Sequence, residues 1–302
     1  MKKYIILFVS FYGFCVYGQQ ESQFTQYMYN TMSINPAYAG NRENVIVNLL
    51  HRSQWQGIAG APKTQVLTIE SPLMNNLGAG ATILRDEAGP AFETTFAVDF
   101  AYTLRLNDSE TLFSFGMKGG IQSLDVDFTR LNVYDPSDNL AENNIKKMSP
   151  IIGIGTYLYG DNWYVGVSIP NLLKTTHLRQ GSNSKIAEKQ HFYMISGYVF
   201  ELNKHVKFKP TTLLKLTTGA PIAFDVATNF LIKDKLTLGA SYRLNASING
   251  LMGFQVSDKL MLGYAYDYDL TDIGTYNSGS HEFFMRYTFI KSKYGKVSPR
   301  FF

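Results

Sequence analysis

Large apolar and smaller polar side chains alternate along most of the chain after residue 42. The clearest case is FETTFAVDFAYTLRL, residues 92–106, where the positions in phase with Phe92 are mostly large and those between them are small or polar. Successive side chains of a β-strand point to opposite faces, so a period of two predicts a strand. This strand is long, because typical soluble strands have about 5–6 residues and a tilted strand that crosses a membrane needs about 9–11.

The same pattern recurs and predicts fourteen strands. Their approximate spans are 43–54, 63–71, 77–84, 92–106, 111–123, 150–158, 163–169, 189–202, 206–217, 222–232, 236–245, 247–256, 260–270 and 281–290. One face of the clearest strands is large and apolar, while the other mixes glycine and alanine with charges, which suits a lipid-facing exterior and a small or polar interior. Single-chain outer-membrane barrels have an even number of strands. We therefore predict an all-β fold, a transmembrane antiparallel β-barrel of about 14 strands of the outer-membrane type.

The connections between the predicted strands sort by length. Short polar turns follow the fourth, sixth, eighth, tenth and twelfth strands, whereas the long connections, such as residues 125–149 and 170–187, mostly follow odd strands. Bacterial outer-membrane barrels have short periplasmic turns and longer extracellular loops. The sorting therefore predicts an outer-membrane location with both barrel termini in the periplasm and the long loops outside.

The first residues have the layout of an export signal. A basic pair at positions 2 and 3 precedes an apolar run from Ile5 to Val16, and the small residue Gly18 follows shortly after. Such a run is typical of a secretory signal peptide and is short for a membrane helix of about 20 residues. The expected organisation is as follows: a signal peptide at 1–18, an ordered N-terminal segment at 19–42, the barrel at 43–290 and a C-terminal tail at 291–302.

Composition limits the possible partners. The chain has 20 Tyr, 21 Phe and 25 Gly but only 17% charged residues. Loss of residues 1–18 removes the single cysteine and two lysines, which lowers the formal net charge from +4 to +2. A nucleic-acid-binding protein usually shows a basic patch or stripe, so we expect no nucleic-acid partner.

Sequence motifs of catalysis or metal binding are missing. The histidines are dispersed without ligand-like spacing, at His51, His177, His191, His205 and His281. The acidic residues of 125–138 lack the spacing of an EF-hand loop, and the Gly-x-Gly pairs at 78–80 and 153–155 lack the third glycine and helix of a dinucleotide site. Small residues on an inward barrel face explain these pairs better. We therefore expect no enzymatic activity, no metal ion and no cofactor.

The stretch QYMYNTMSINPAYAG, residues 26–40, fits neither helix nor strand. Its Asn-Pro and Ala-Gly dipeptides favour a fixed turn before the first strand, and its tyrosines have apolar rings whose hydroxyls need partners when buried. We expect this segment to pack at the periplasmic mouth or inside the barrel, either as a partner site or as a cap without a partner role. The candidate partner-binding residues are Tyr27, Tyr29, Asn35, Pro36 and Tyr38.

A second aperiodic stretch, RSQWQGIAGAPKTQ at residues 52–65, joins the first two predicted strands. Arg52 and Trp55 lie where the first strand should reach the outer surface, and both residue types are enriched at binding hot spots. They are therefore candidate partner-binding residues as well. The alternative is a folded loop that closes the barrel mouth, with Trp55 in the aromatic girdle.

These two stretches and the aromatic ending SPRFF, residues 298–302, resemble the PorP/SprF family of type IX secretion system outer-membrane proteins, and the resemblance runs from the signal peptide to Phe302. It implies an accessory barrel that binds, helps export or anchors specific secreted cargo with a C-terminal sorting domain, such as an adhesin. The implied partners are this cargo, outer-membrane lipid and, in some members, other type IX secretion or gliding-motility components. The alternative is a substrate-specific outer-membrane channel, because a polar barrel interior can conduct solutes.

Overall fold

The computed structural model is a closed antiparallel β-barrel and describes residues 24–42, 44–106, 111–130, 144–173, 176–178, 185–187 and 190–291. The strands are β1 (Asn44–Ser53), β2 (Lys63–Met74), β3 (Leu77–Ala88), β4 (Ala91–Arg105), β5 (Leu112–Val126), β6 (Ile145–Tyr159), β7 (Trp163–Ile169), β8 (Thr176–Leu178), β9 (Lys185–Ala187), β10 (His191–Tyr198), β11 (Phe200–Asn203), β12 (Val206–Thr217), β13 (Ala223–Ile232), β14 (Leu236–Arg243), β15 (Ser247–Gln255), β16 (Leu260–Asp269) and β17 (Ser280–Lys291). Short 3-10 helices lie at Thr31–Ser33, Pro36–Tyr38, Phe128–Arg130 and Asp272–Thr275.

Fourteen strand positions close the barrel. β10 and β11 are two parts of the eighth position, interrupted at Val199, and both pair with β12. β10 also pairs with β7, and β1 pairs with β2 and β17, so the sheet has no open side. β8 and β9 form a separate two-stranded sheet. The predicted fold class is confirmed.

The alternation of side chains matches the two faces of the wall. Phe96 and Phe100 on β4 are 48% and 51% exposed on the outside, whereas Ala97 and Asp99 are fully buried on the inside. A strand that faces lipid on one side and a filled interior on the other should have this pattern. Among the described residues, no helix is long and apolar enough to cross a bilayer.

Several strands extend further than predicted at one end of the barrel. β3, β5 and β6 continue past the predicted spans 77–84, 111–123 and 150–158. On β3 the outward positions there are Arg85 and Glu87, so the apolar alternation stops while the backbone ladder with β4 continues to Ala88. The hydrophobic pattern therefore marks the apolar belt of the wall and not the ends of the strands.

The connections divide between the two ends of the barrel. We call one end the turn end; its connections are 75–76, 106–111, 160–162, 204–205, 233–235 and 256–259. We call the other the loop end; its connections are 54–62, 89–90, 127–144, 170–190, 218–222, 244–246 and 270–279. The first and last residues of the barrel, Asn44 and Lys291, pair with each other at the turn end.

Candidate functional site

Residues 24–42, which we call the lumen segment, lie inside the barrel, whereas residues 1–23, including the predicted signal peptide, lie outside the described residues. All of the lumen segment is buried except Ser33, Gly40 and Arg42, which are half-buried. It begins in the loop-end half of the lumen beside Glu282 and ends at the turn end, where Gly40 lies against Gly78. The segment therefore extends through most of the length of the barrel lumen.

A buried charge cluster holds the start of the lumen segment. Arg52 Nη2 lies 2.7 Å from Asp267 Oδ2, and its Nη1 lies 3.1 Å from Glu282 Oε2. The backbone N–H groups of Thr25 and Gln26 donate to the two carboxylate oxygens of Glu282 at 2.9 and 2.8 Å. Hydrogen bonds that involve a charged group are about twice as strong as neutral ones. Glu282 therefore joins the lumen segment to Arg52 on β1.

Wall side chains bind the backbone carbonyls in the middle of the segment. Arg286 Nη2 donates to the carbonyl of Tyr29 at 2.5 Å, and Lys118 Nζ donates to that of Ser33 at 3.0 Å. Ser168 Oγ donates to the carbonyl of Ile34 at 2.7 Å. Buried backbone outside regular structure must find such partners, and irregular backbone at membrane depth is tolerated where it is buried in protein.

The NPAYAG sequence forms a capped 3-10 turn. Asn35 Oδ1 accepts a hydrogen bond from the Ala37 N–H at 2.9 Å, and Pro36 occupies the first helical position, where its fixed φ suits the helix. Asn35 Nδ2 donates to the carbonyl of Thr156 on β6 at 3.0 Å. One asparagine side chain thus starts the turn and fixes it to the wall.

Glycines in the wall make room for this turn. A Cβ on Gly116 would come within 3.0 Å of the Ala37 nitrogen, and one on Gly78 would come as close to the Ala39 carbonyl oxygen. A Cβ on Gly155 would likewise come within 3.0 Å of the Asn35 side chain. Gly78 and Gly155 belong to the Gly-x-Gly pairs that the sequence placed on an inward face, and contact with the turn explains why they lack a Cβ.

The three tyrosines of the lumen segment point into the packed interior. Tyr27 and Thr211 hydroxyls are 3.1 Å apart, and the ring centroid of Tyr29 lies 4.7 Å from that of Phe284. Tyr38 stacks on Tyr157 with centroids 4.0 Å apart. All three tyrosines are at most 3% exposed, so in this arrangement they contact the barrel wall and present no surface to an external protein.

The structure separates Arg52 from Trp55, which the sequence placed together at the outer surface. Arg52 has the inward phase of Leu50 and is 2% exposed, whereas Trp55 lies in the loop-end connection 54–62 and is half-buried. Trp55 adopts a φ of 46°, and its backbone N–H donates to Ser280 Oγ at 3.1 Å. Of the seven predicted residues, Trp55 alone is thus partly exposed, and the other six are buried.

The loop-end rim around Trp55 is tied together by backbone hydrogen bonds. The Gln56 N–H donates to the Gly279 carbonyl at 2.9 Å, and the Ser278 N–H donates to the Gln56 carbonyl at 2.9 Å. On the other side, the Gly89 N–H donates to the Gly60 carbonyl at 2.9 Å. Connections 54–62, 89–90 and 270–279 therefore form one continuous surface, which we call the Trp55 rim.

The next loop-end connection contains a local turn around Asp127. The hydroxyl and the N–H of Thr129 both donate to the Asp127 carboxylate, which holds the pKa of Asp127 below its usual range. Arg130 reaches back to Glu87 at 3.2 Å. Within the part of the chain that the structure describes, no group of three or more His, Cys, Asp or Glu side chains is arranged to hold a metal ion.

Solved outer-membrane proteins share the architecture at low identity. Omp33 of Acinetobacter baumannii is 9% identical with a TM-score of 0.45, over 83% of this chain and 100% of that one. A FadL homologue of Pseudomonas aeruginosa is 11% identical with a TM-score of 0.48, over 86% and 93%. The CymD monoaromatic hydrocarbon channel is 10% identical with a TM-score of 0.48, over 92% and 96%. These values are too low to support any inference about ligands.

Family membership is clear from the sequence comparison. No curated protein matches the chain. The family model described as type IX secretion system membrane protein PorP/SprF, however, matches residues 16–287, which include both the lumen segment and almost all of the barrel. The chain therefore belongs to the PorP/SprF family of type IX secretion system membrane proteins.

Proposed function

We propose that this protein is an accessory outer-membrane barrel that binds a specific type IX cargo protein with a C-terminal sorting domain and holds it at the cell surface. The observation that carries the proposal is the filled lumen. A barrel whose interior is packed with its own chain presents its rims and loops to partners, and this arrangement supports binding over solute passage.

The filled lumen disfavours the alternative of a substrate-specific channel. Porin-type barrels keep a polar, water-filled interior, whereas other outer-membrane barrels are plugged by loops or helices. Here a buried segment is fixed at its start by Glu282, in its middle by Arg286 and Lys118, and at its end by Asn35. Opening a path would require breaking all of these contacts.

The proposed orientation puts the turn end in the periplasm and the loop end outside. Its support is the length of the connections, since three of the seven at the loop end have ten or more residues (127–144, 170–190 and 270–279) and none at the turn end does. The connections 89–90 and 244–246, with two and three residues, are short exceptions at the loop end. Under this orientation the Trp55 rim faces the surroundings of the cell.

The Trp55 rim is the proposed cargo contact. Its backbone is ordered by bonds between three connections, so a partner that docks on it would not need to order loose loops first. Tryptophan is enriched among the few residues that dominate binding energy at interfaces. The half-buried ring of Trp55 is therefore the proposed anchor for the cargo.

Gene deletion tests the proposed role. Loss of this protein should remove one or a few cargo proteins from the cell surface while other type IX substrates still arrive, as measured by surface proteomics. Cargo display that is unchanged, together with lost uptake of a small solute, would instead support the channel alternative.

Two tryptophan variants test the proposed contact. Trp55→Ala should weaken cargo retention, whereas Trp163→Ala makes the same change at the turn end and should not. The measurement is the cargo that co-purifies with each variant, after heat-modifiable gel migration has shown that both fold. Equal retention by the two variants would rule out the Trp55 rim as the main contact.

A further inference from the structure

The turn end has an uneven distribution of charge. On one side, connections 204–205, 233–235 and 256–259 with the adjoining strand ends have five lysines and three acids: Lys204, Lys207, Lys233, Lys235 and Lys259 against Glu201, Asp234 and Asp258. On the other side, the described residues of connections 75–76, 106–111 and 160–162 with their strand ends have one arginine and one acid, Arg105 and Asp161.

The lysine-bearing turns form one surface. The Lys233 N–H donates to the carbonyl of His205 at 2.7 Å, and the Gln255 N–H donates to that of Lys235 at 2.8 Å, so each turn is tied to the next. The side chain of Lys207 pairs with Asp234 at 3.6 Å. The other four lysines are exposed residues, and together they form what we call the lysine rim: Lys204, Lys233, Lys235 and Lys259.

A cleft of about 380 Å³ leads from the lysine rim into the lumen. Its lining contains Lys259, Arg42 and Arg286 with one carboxylate, Asp258, and Arg42 also pairs with Glu70 at 3.6 Å. Arg286 is also the residue that binds the carbonyl of Tyr29, so the inner wall of the cleft touches the lumen segment. Cationic side chains therefore line the path from the exposed rim to the lumen, and Glu70 offsets the charge of Arg42.

We propose that the lysine rim and this cleft form a docking site for an acidic polypeptide segment of a partner protein. Clustered charge of one sign attracts a complementary partner and orients it as it approaches. Lipid headgroups surround a barrel on all sides, so a role in lipid binding would favour lysines around the whole turn end, whereas those in the described turn-end connections and their strand ends lie on one side. This site is separate from the proposed cargo contact at the opposite mouth. The periplasmic location of the partner rests on the orientation proposed above. The charge complementarity between the site and an acidic segment is independent of that orientation.

Direct binding of an acidic probe tests this inference. Full-length mature protein in nanodiscs of neutral lipid is titrated into a fluorescein-labelled oligoglutamate peptide, and fluorescence anisotropy gives the affinity. The triple variant Lys204→Gln, Lys233→Gln, Lys259→Gln should bind about tenfold more weakly, which corresponds to about 1.4 kcal/mol, because it removes three exposed ion-pairing groups. Binding to the unmodified protein should also weaken as salt is raised.

A matched variant at the loop end controls for net charge. Lys63→Gln, Lys146→Gln, Lys147→Gln removes the same three charges at the opposite mouth and should bind the peptide as the unmodified protein does. Equal losses in the two triple variants, or no binding to the unmodified protein, would overturn the inference. Loss of peptide binding when anionic phospholipid is added to the nanodisc would identify lipid as the occupant instead. None of these results bears on cargo retention at the Trp55 rim.

Discussion

The two halves of the lumen segment are held in different ways. The half that starts at Thr25 is fixed by buried charges, with Glu282 accepting two backbone N–H groups while it pairs with Arg52. The half that ends at Gly40 is fixed mainly by shape, because its turn lies against wall glycines such as Gly116. A charge cluster can be weakened by one change of protonation or partner, whereas close backbone packing cannot be released without moving the wall. The comparison suggests that the turn half is the permanent part of the closure.

The largest expected effect comes from the charged half. Glu282→Gln keeps the shape of the side chain but leaves Arg52 with one carboxylate partner and weakens the bonds to Thr25 and Gln26. Breaking a buried ion pair costs about 3–5 kcal/mol, so the free energy of unfolding should fall by about that amount. Urea unfolding of the barrel in lipid vesicles, followed by tryptophan fluorescence, measures it.

Glu87→Gln is the control for this change. It breaks the ion pair between Glu87 and Arg130, whose side chains are 37% and 51% exposed, respectively. The free energy of unfolding should therefore fall by less than about 1 kcal/mol. Similar losses for Glu87→Gln and Glu282→Gln would show that burial does not set the strength of the charged half.

The next effect concerns the turn half. Gly116→Ala adds a Cβ that must displace the backbone at Ala37, and overpacking of this kind costs about 1–3 kcal/mol. Gly119→Ala on the same strand meets no atom within 4 Å and should change stability by less than about 0.5 kcal/mol. The same unfolding measurement compares them, and equal tolerance would mean that the turn does not pack on the wall as described.

The smallest effect tests the cap of the turn. Asn35→Ala removes the acceptor for the Ala37 N–H and the donor to Thr156, and loss of such a cap costs about 0.5–2 kcal/mol. Asn35→Ser keeps a neutral N-cap acceptor and loses the amide group that reaches Thr156, so its stability should lie between those of Asn35→Ala and the unmodified protein. A serine variant that is no more stable than the alanine variant would assign the role of Asn35 to the wall contact alone.

The barrel could be predicted from the sequence because strand phase is local information. Arg52 could also have been placed inside on this basis, since it is in phase with Leu50, but its position near the end of the predicted strand led to an outward assignment. The path of the lumen segment could not be predicted, because an aperiodic stretch has no phase and its partners, such as Glu282, are more than 250 residues away. The role of Gly116 depends on those distant contacts as well.

The central claim is that the lumen segment closes the barrel, and single-channel conductance in planar bilayers tests it most directly. The unmodified protein should show no steady open pore, whereas a variant that lacks residues 24–40 and still folds, as judged by heat-modifiable migration, should conduct ions steadily. A steady pore in the unmodified protein, or a folded deletion variant that stays closed, would contradict the claim.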